Sequence, residues 1–315
     1  MCYININIST QMKKVFIILL ISVNLIFAEV FLISEANIDA RSSALSSGDI
    51  AMNKNSFSIY SNPAGLLYTD KIFMNLSYSN YFTDINLTNA SFIYPELYMK
   101  LPVAFSIAYL DYGQFTDIEN NTTYHPYDLM LTASTARIIE GIATGLNLKY
   151  FYSSIENYSS SGMAIDLSVL HEFLDGKINV GVGIYNLGFQ LSAFNETKED
   201  LPTSVKFGIA NKLSKLPLEI GLEIDYYFAD YYNYGIGLEF QPKEHLLIRA
   251  GYDFSFADKE IGTNEKIEKF AGTSLGISIP FSAYHFDFTY LINGELDAEF
   301  NLAAGIDINN IFDKK

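Results

Sequence analysis

The stretch Leu218-Glu219-Ile220-Gly221-Leu222-Glu223-Ile224-Asp225-Tyr226 decides the fold. Its even positions are apolar without exception, and its odd positions are acids or glycine. That is a period of two, the signature of a strand with one greasy face, not the 3.6 period of a helix. The pattern recurs outward in both directions. Toward the C-terminus, Tyr234, Ile236, Leu238 and Phe240 interleave with Gly235, Gly237 and Glu239, and Ile248, Ala250 and Tyr252 interleave with Arg249, Gly251 and Asp253. Tyr284 to Tyr290 and Phe300 to Ile308 repeat it. Toward the N-terminus the apolar rows include Val103 to Tyr109, Leu146 to Tyr152, Met163 to Val169, Ile178 to Ile184 and Val205 to Ile209.

Fourteen such runs can be marked, starting near Ile72, Ile85, Leu101, Tyr127, Gly141, Gly162, Lys177, Leu201, Leu216, Tyr231, Glu244, Phe270, Ala283 and Asp297. Asp175-Gly176 and Asn293-Gly294 are tight-hairpin signals between them. An even count of closely spaced strands predicts an all-β, up-and-down antiparallel sheet. A soluble sandwich would turn the apolar face inward, and a transmembrane barrel would turn it outward to lipid. Three features favour the barrel. The rows approach the roughly 9–11 residues that a tilted spanning strand needs. Aromatic groups such as Tyr81-Phe82, Tyr150-Phe151-Tyr152 and Tyr226-Tyr227-Phe228 fall at strand ends, where interface girdles sit. The polar face is rich in glycine (Gly181, Gly183, Gly208, Gly221, Gly237, Gly251 and Gly276 among others), which a water-facing strand would not be.

Composition agrees. Among 315 residues there are 24 Phe and 23 Tyr but no Trp, and 49% are hydrophobic, which argues against disorder. A net charge of −16 excludes a nucleic-acid partner, which would need a basic face. One cysteine excludes a disulfide scaffold or a cysteine-ligated metal. Residues 1–28 read as a signal peptide: Met12-Lys13-Lys14, the apolar run Val15 to Phe27, then cleavage after Ala28. Met12 is the expected start, with residues 1–11 an upstream artefact. The resulting expectation is a 14-stranded antiparallel transmembrane β-barrel at residues 71–309 in the bacterial cell outer membrane, with outer-membrane lipid as its first partner. A short tail, 310–315, follows. Residues 29–70 do not alternate and are expected to plug the lumen as a hatch.

Parity assigns twelve ionisable side chains to the lumen: Lys149, Asp166, Lys206, Glu219, Glu223, Asp225, Glu239, Arg249, Asp253, His285, Asp287 and Asp307. They are expected to pair with one another, or to set a field that favours cations and excludes anions. The four histidines are scattered, and no Gly-x-Ser-x-Gly or His-Glu-x-x-His run occurs. No enzyme activity, cofactor or metal is therefore expected.

The plug carries Ala40-Arg41-Ser42-Ser43-Ala44-Leu45 and, later, Asn62-Pro63-Ala64-Gly65-Leu66. With Gly145 to Tyr150, Ser161 to Leu167, Tyr185-Asn186-Leu187-Gly188, Leu201-Pro202 and Ile248 to Tyr252, these resemble the PorV/PorQ family, relatives of the FadL-like outer-membrane β-barrels. The likeness covers roughly residues 36–308. It implies a secretion-associated barrel that binds exported proteins or secretion machinery, or else a FadL-like transporter for a hydrophobic ligand or small solutes. Secretion is placed slightly ahead. The Asn62–Leu66 motif is expected to be a rigid turn that seats the plug, or a gate, with Asn62 bonding nearby backbone and Gly65 supplying a positive φ. Segments 111–126 and 189–200 are the expected partner-binding surface.

Overall fold

The computed structural model describes residues 30–46, 48–52, 59–81, 84–98, 101–117, 121–229, 231–256, 269–293 and 298–309. The expected signal peptide and tail, and Phe82 and Gly294, lie outside the described residues. Fourteen strands close into one antiparallel barrel. In chain order they are β1 (Phe73–Asn80), β2 (Asn86–Tyr98), β3 (Leu101–Asp111), β6 (Tyr127–Ile139), β7 (Ile142–Ile155), β8 (Tyr158–Phe173), β9 (Ile178–Ser192), β10 (Ser204–Lys212), β11 (Leu218–Tyr227), β12 (Tyr231–Lys243), β13 (Leu246–Asp253), β14 (Thr273–Phe281), β15 (Tyr284–Ile292) and β16 (Ala298–Asp307). Two short strands, β4 (Phe115–Asp117) and β5 (Thr122–Tyr124), form a separate hairpin within the β3–β6 connection. Pairing β1 with β16 leaves the sheet without an edge, which a spanning sheet requires because lipid offers no hydrogen bonds.

Alternation sets the faces. Leu76, Phe105, Leu148, Phe207, Leu222, Phe286 and Leu302 lie on the outer surface, each at least 47% exposed, while their strand neighbours turn inward. A one-residue register slip would send this whole belt into the lumen, so lipid itself specifies the register. The expected girdle needs correction. Tyr150, Tyr152 and Tyr226 keep the outward parity, but Phe151 and Tyr227 point inward and are buried.

Turns differ at the two ends. Where β1 begins and β16 ends, connections are short. Glu140-Gly141 joins β6 to β7 with positive φ at both residues (49° and 83°), the type I′ hairpin geometry. Asp175 and Gly176 are likewise left-handed. The opposite end carries the long connections 112–126, 193–203 and 254–272. Short turns mark the periplasmic end and long loops the extracellular end.

Candidate functional site

The described part of 30–70 lies inside the barrel and circles the lumen. A short helix, α1 (Ala40–Leu45), is capped by Asp39, which accepts the Ser42 amide at 2.9 Å. Its carbonyls are satisfied by wall side chains, as a buried helix end requires. Thr289 Oγ1 donates to Ala40 O at 2.6 Å, and Ser274 Oγ donates to Ala44 O at 2.8 Å. Small residues in α1 let its backbone lie almost on the wall. A Cβ at Gly221 would sit 2.0 Å from the Gly48 carbonyl oxygen, and one at Gly145 would sit 2.2 Å from the Ala64 nitrogen. Gly181, Gly237, Gly251 and Gly276 face plug atoms in the same way. Gly145, Gly181, Gly221, Gly237 and Gly251 are thus seats where wall backbone meets plug backbone, while Gly276 makes room for the Ala44 side chain and Gly183 for the Tyr185 ring.

Asn62-Pro63-Ala64-Gly65-Leu66 opens a 3-10 turn, Pro63–Tyr68. Asn62 is fully buried. Its Oδ1 accepts the Ala64 amide at 3.1 Å and the Ser168 hydroxyl at 2.7 Å, and its Nδ2 donates to Ile50 O at 2.8 Å. One side chain therefore joins two parts of the plug and the wall. Gly65 corrects an expectation: it lies in the 3-10 turn and is not among the residues of positive φ.

The charged residues gather in three groups. In the first, Glu239 Oε2 accepts from Arg41 Nε of the plug at 3.0 Å and from Arg249 Nε of the wall at 2.7 Å. Arg249 also donates to Asp287 at 2.8 Å, and His285 lies 3.2 Å from that same carboxylate. Arg41 further reaches Met52 O at 3.0 Å and Asp49 at 3.7 Å. Burial opposes its charge, but the Glu239 and Asp49 carboxylates outweigh burial and hold its pKa above the usual value. In the second group, Lys206 bonds Asp225 at 2.8 Å, while Glu223 accepts the Ile50 amide of the plug at 2.7 Å.

The third group builds a bulge. Lys149 and Asn147 each bond Asp166 Oδ2 at 2.8 Å, and the Asn186 amide bonds its Oδ1 at 2.8 Å. The β8–β9 register shifts there, Asn186 takes φ 54°, and β9 beyond it pairs only with β8. The expected partner segment 189–200 therefore begins as strand.

Of the twelve parity residues, Asp253 sits apart, accepting Ser255 N at 2.8 Å, and Asp307 pairs with Lys71 at 3.1 Å. Glu219 stands opposite Glu239 in the β11–β12 register. Parity reasoning misses Arg41, Asp49 and Asp39, because the plug has no alternation to read.

Two cavities remain beside the plug. One, of about 400 Å³ in the periplasmic half, is lined by Asp39, Arg41, Glu219, Glu239, Arg249 and Asp287 among others. A smaller one, of about 70 Å³, is lined by Asp39, Asp49, Lys149, Lys206, Glu223 and Tyr227 among others. Among the described residues no three His, Cys, Asp or Glu side chains are arranged to hold a metal.

A closed, lipid-belted barrel with its lumen filled by its own N-terminal segment defines the class: a bacterial outer-membrane β-barrel. No family model matches the chain, and no curated protein matches it. Solved structures do. The TodX deltaS2S3 mutant monoaromatic hydrocarbon channel matches with a TM-score of 0.57 and 12% identity, over 86% of this chain and 99% of that one. The TodX deltaS2 mutant matches at 0.54 and 12%, with the same coverage. At such identity the likeness is one of fold.

Proposed function

We propose that the chain is a plugged transport barrel of the FadL-like kind, passing a small or hydrophobic solute across the outer membrane. The observation that carries this reading is the 400 Å³ cavity left in the lumen beside the plug. A purely structural barrel has no need of such space. The fold shared with a hydrocarbon channel supports the same reading. This reverses the order drawn from the PorV/PorQ resemblance, because the two solved structures matched above are forms of a hydrocarbon channel. The test is to reconstitute the full chain and record conductance and solute flux, while identifying co-purifying molecules by mass spectrometry. Flux supports transport. A silent barrel that co-purifies with an exported protein restores the secretion reading.

A further inference from the structure

Resting on the transport reading, we infer that the solute route runs between the plug and the β9–β15 wall, that it suits small zwitterions, and that Arg41 bars it. The two cavities share one lining residue, Asp39. The smaller cavity reaches Tyr227 and Glu35 near the extracellular end, where the Tyr231 hydroxyl bonds the Glu35 carboxylate at 3.2 Å. The larger one reaches Lys212, Pro217 and Pro280 at the short-turn end. Together they nearly span the lumen on one side of the plug.

What separates them is a row of charges. Asp49 lines the smaller cavity and Glu239 the larger, and Arg41 lies between, bonded to Glu239 and close to Asp49. Arg41 belongs to the plug and Glu239 to the wall, so their bond is a bolt across the partition. Removing it lets α1 shift without breaking the barrel.

The lining names the solute. Carboxylates (Asp39, Glu219, Glu239, Asp287) and cationic side chains (Arg249, Lys212) line one space, where Arg249 already holds Glu239 and Asp287 and a charged solute would share these partners. A hydrocarbon there would strip water from charged groups and return nothing. A small molecule bearing both an ammonium and a carboxylate exchanges water for charged partners of each sign. The apolar surface of the lumen is already packed, between the plug and β2–β8 and, around Leu45, Ile50 and Met52, against Tyr185 and Ala210.

The experiment uses the full chain in proteoliposomes, with Cys2 replaced by serine. Swelling is followed in isosmotic serine and in erythritol, a neutral polar solute of similar size. Serine is expected to enter faster. Arg41→Ala is expected to raise serine entry about tenfold or more, since it cuts the charged tie between plug and wall while Glu239 keeps Arg249, and Arg41→Lys to keep it low. Heat-shifted gel mobility verifies that each variant is a folded barrel. Single cysteines then map the side of the lumen. An ammonium thiol reagent is expected to block entry at Gln241→Cys or Ser204→Cys, which line the cavities, and not at Ser134→Cys on inward β6. Block at Ser134→Cys alone, or erythritol entering as fast as serine, overturns this route while transport stands. No entry of serine in any folded variant overturns the zwitterion route, while the transport reading is decided by the conductance and solute flux of the reconstituted chain.

Discussion

Two sides of one lumen hold the plug by different physics. On the β2–β8 side the contact is dry. Val30, Phe31, Ile33 and Ile38 pack against Leu87, Met130 and Phe151, and lower down Asn62 and Ala64 sit on β7 and β8. On the β10–β15 side the contact is wet in its periplasmic half. There Arg41, Glu239, Arg249 and Asp287 line the cavity of about 400 Å³. Apolar packing has no alternative partner in water, so the dry side fixes the plug. The ion pairs of the wet side border a cavity from which other charged partners can reach them, so that side is the one that can let go. The contrast predicts a plug that swings on its dry face.

The largest break in that contrast comes from the dry side. Phe31 is 3% exposed and stacks on Phe151 with ring centroids 5.2 Å apart. It also holds a left-handed φ of 63°, unusual for a bulky residue and kept only because the ring is pinned. Phe31→Ala is expected to cost about 3–5 kcal/mol of plug docking, the usual price of truncating a buried phenylalanine. Chemical unfolding followed by tyrosine fluorescence, or protease cleavage within 30–70, measures it. Arg41→Ala should leave that protease resistance largely intact while raising flux. If the two variants behave alike, the division into fixed and releasable sides is wrong.

A smaller effect is expected at Asn62. Asn62→Ala removes the cap on the 3-10 turn and leaves Ser168 Oγ and Ile50 O without their partner, about 2 kcal/mol for buried groups. Asn62→Asp sharpens the point. It keeps the acceptor for Ala64 but sets an oxygen against Ile50 O, so it should be no better tolerated than Asn62→Ala. A well-tolerated Asn62→Asp would show that the bond to Ile50 contributes little, and that the motif is only a turn.

How far these arrangements can be read in advance depends on what encodes them. The strands are legible because lipid enforces the outward parity of residues such as Leu222 and Phe286, and observed starts such as Leu101, Tyr127 and Tyr231 fall where alternation begins. Three starts shift by three residues or more, one of them β14, which begins at Thr273 and not at Phe270. Strand β8 starts at Tyr158, before Gly162, and β10 at Ser204, after Leu201, because Leu201 leaves the wall and packs against the plug cluster. Parity locates Glu239 in the lumen but cannot name its partner. Arg41 lies 198 residues away in a segment with no period, and no local pattern encodes that distance. Parity also fails at Asn186, where the bulge turns two successive residues, Tyr185 and Asn186, inward. The inward glycines are visible in the sequence, but the cause of several of them, a second backbone pressed against them, is not.

The smallest expected effect belongs to the wet side and concerns pH. Asp49 is buried, and burial raises its pKa; Arg41 opposes this, Asp39 adds to it, and the Ser42 and Ser61 hydroxyls oppose it. A carboxyl whose folded pKa is raised favours the seated plug while protonated, and that contribution fades as pH climbs through the raised value. Plug seating should therefore weaken modestly as pH rises from acid through that range, opposite to the usual acid lability of paired carboxylates. Asp49→Asn copies the protonated form. It should flatten this part of the profile, leaving seating at neutral pH equal to or slightly firmer than in the parent, because Arg41 retains Glu239 and Met52 O. Protease resistance of the plug across a pH series, parent against variant, decides it. A parent plug that loosens on acidification, with that slope abolished in Asp49→Asn and seating there weak at every pH, would mean that Arg41 depends on Asp49 for its grip, and that the bolt has two sockets where Glu239 is argued to be the main one.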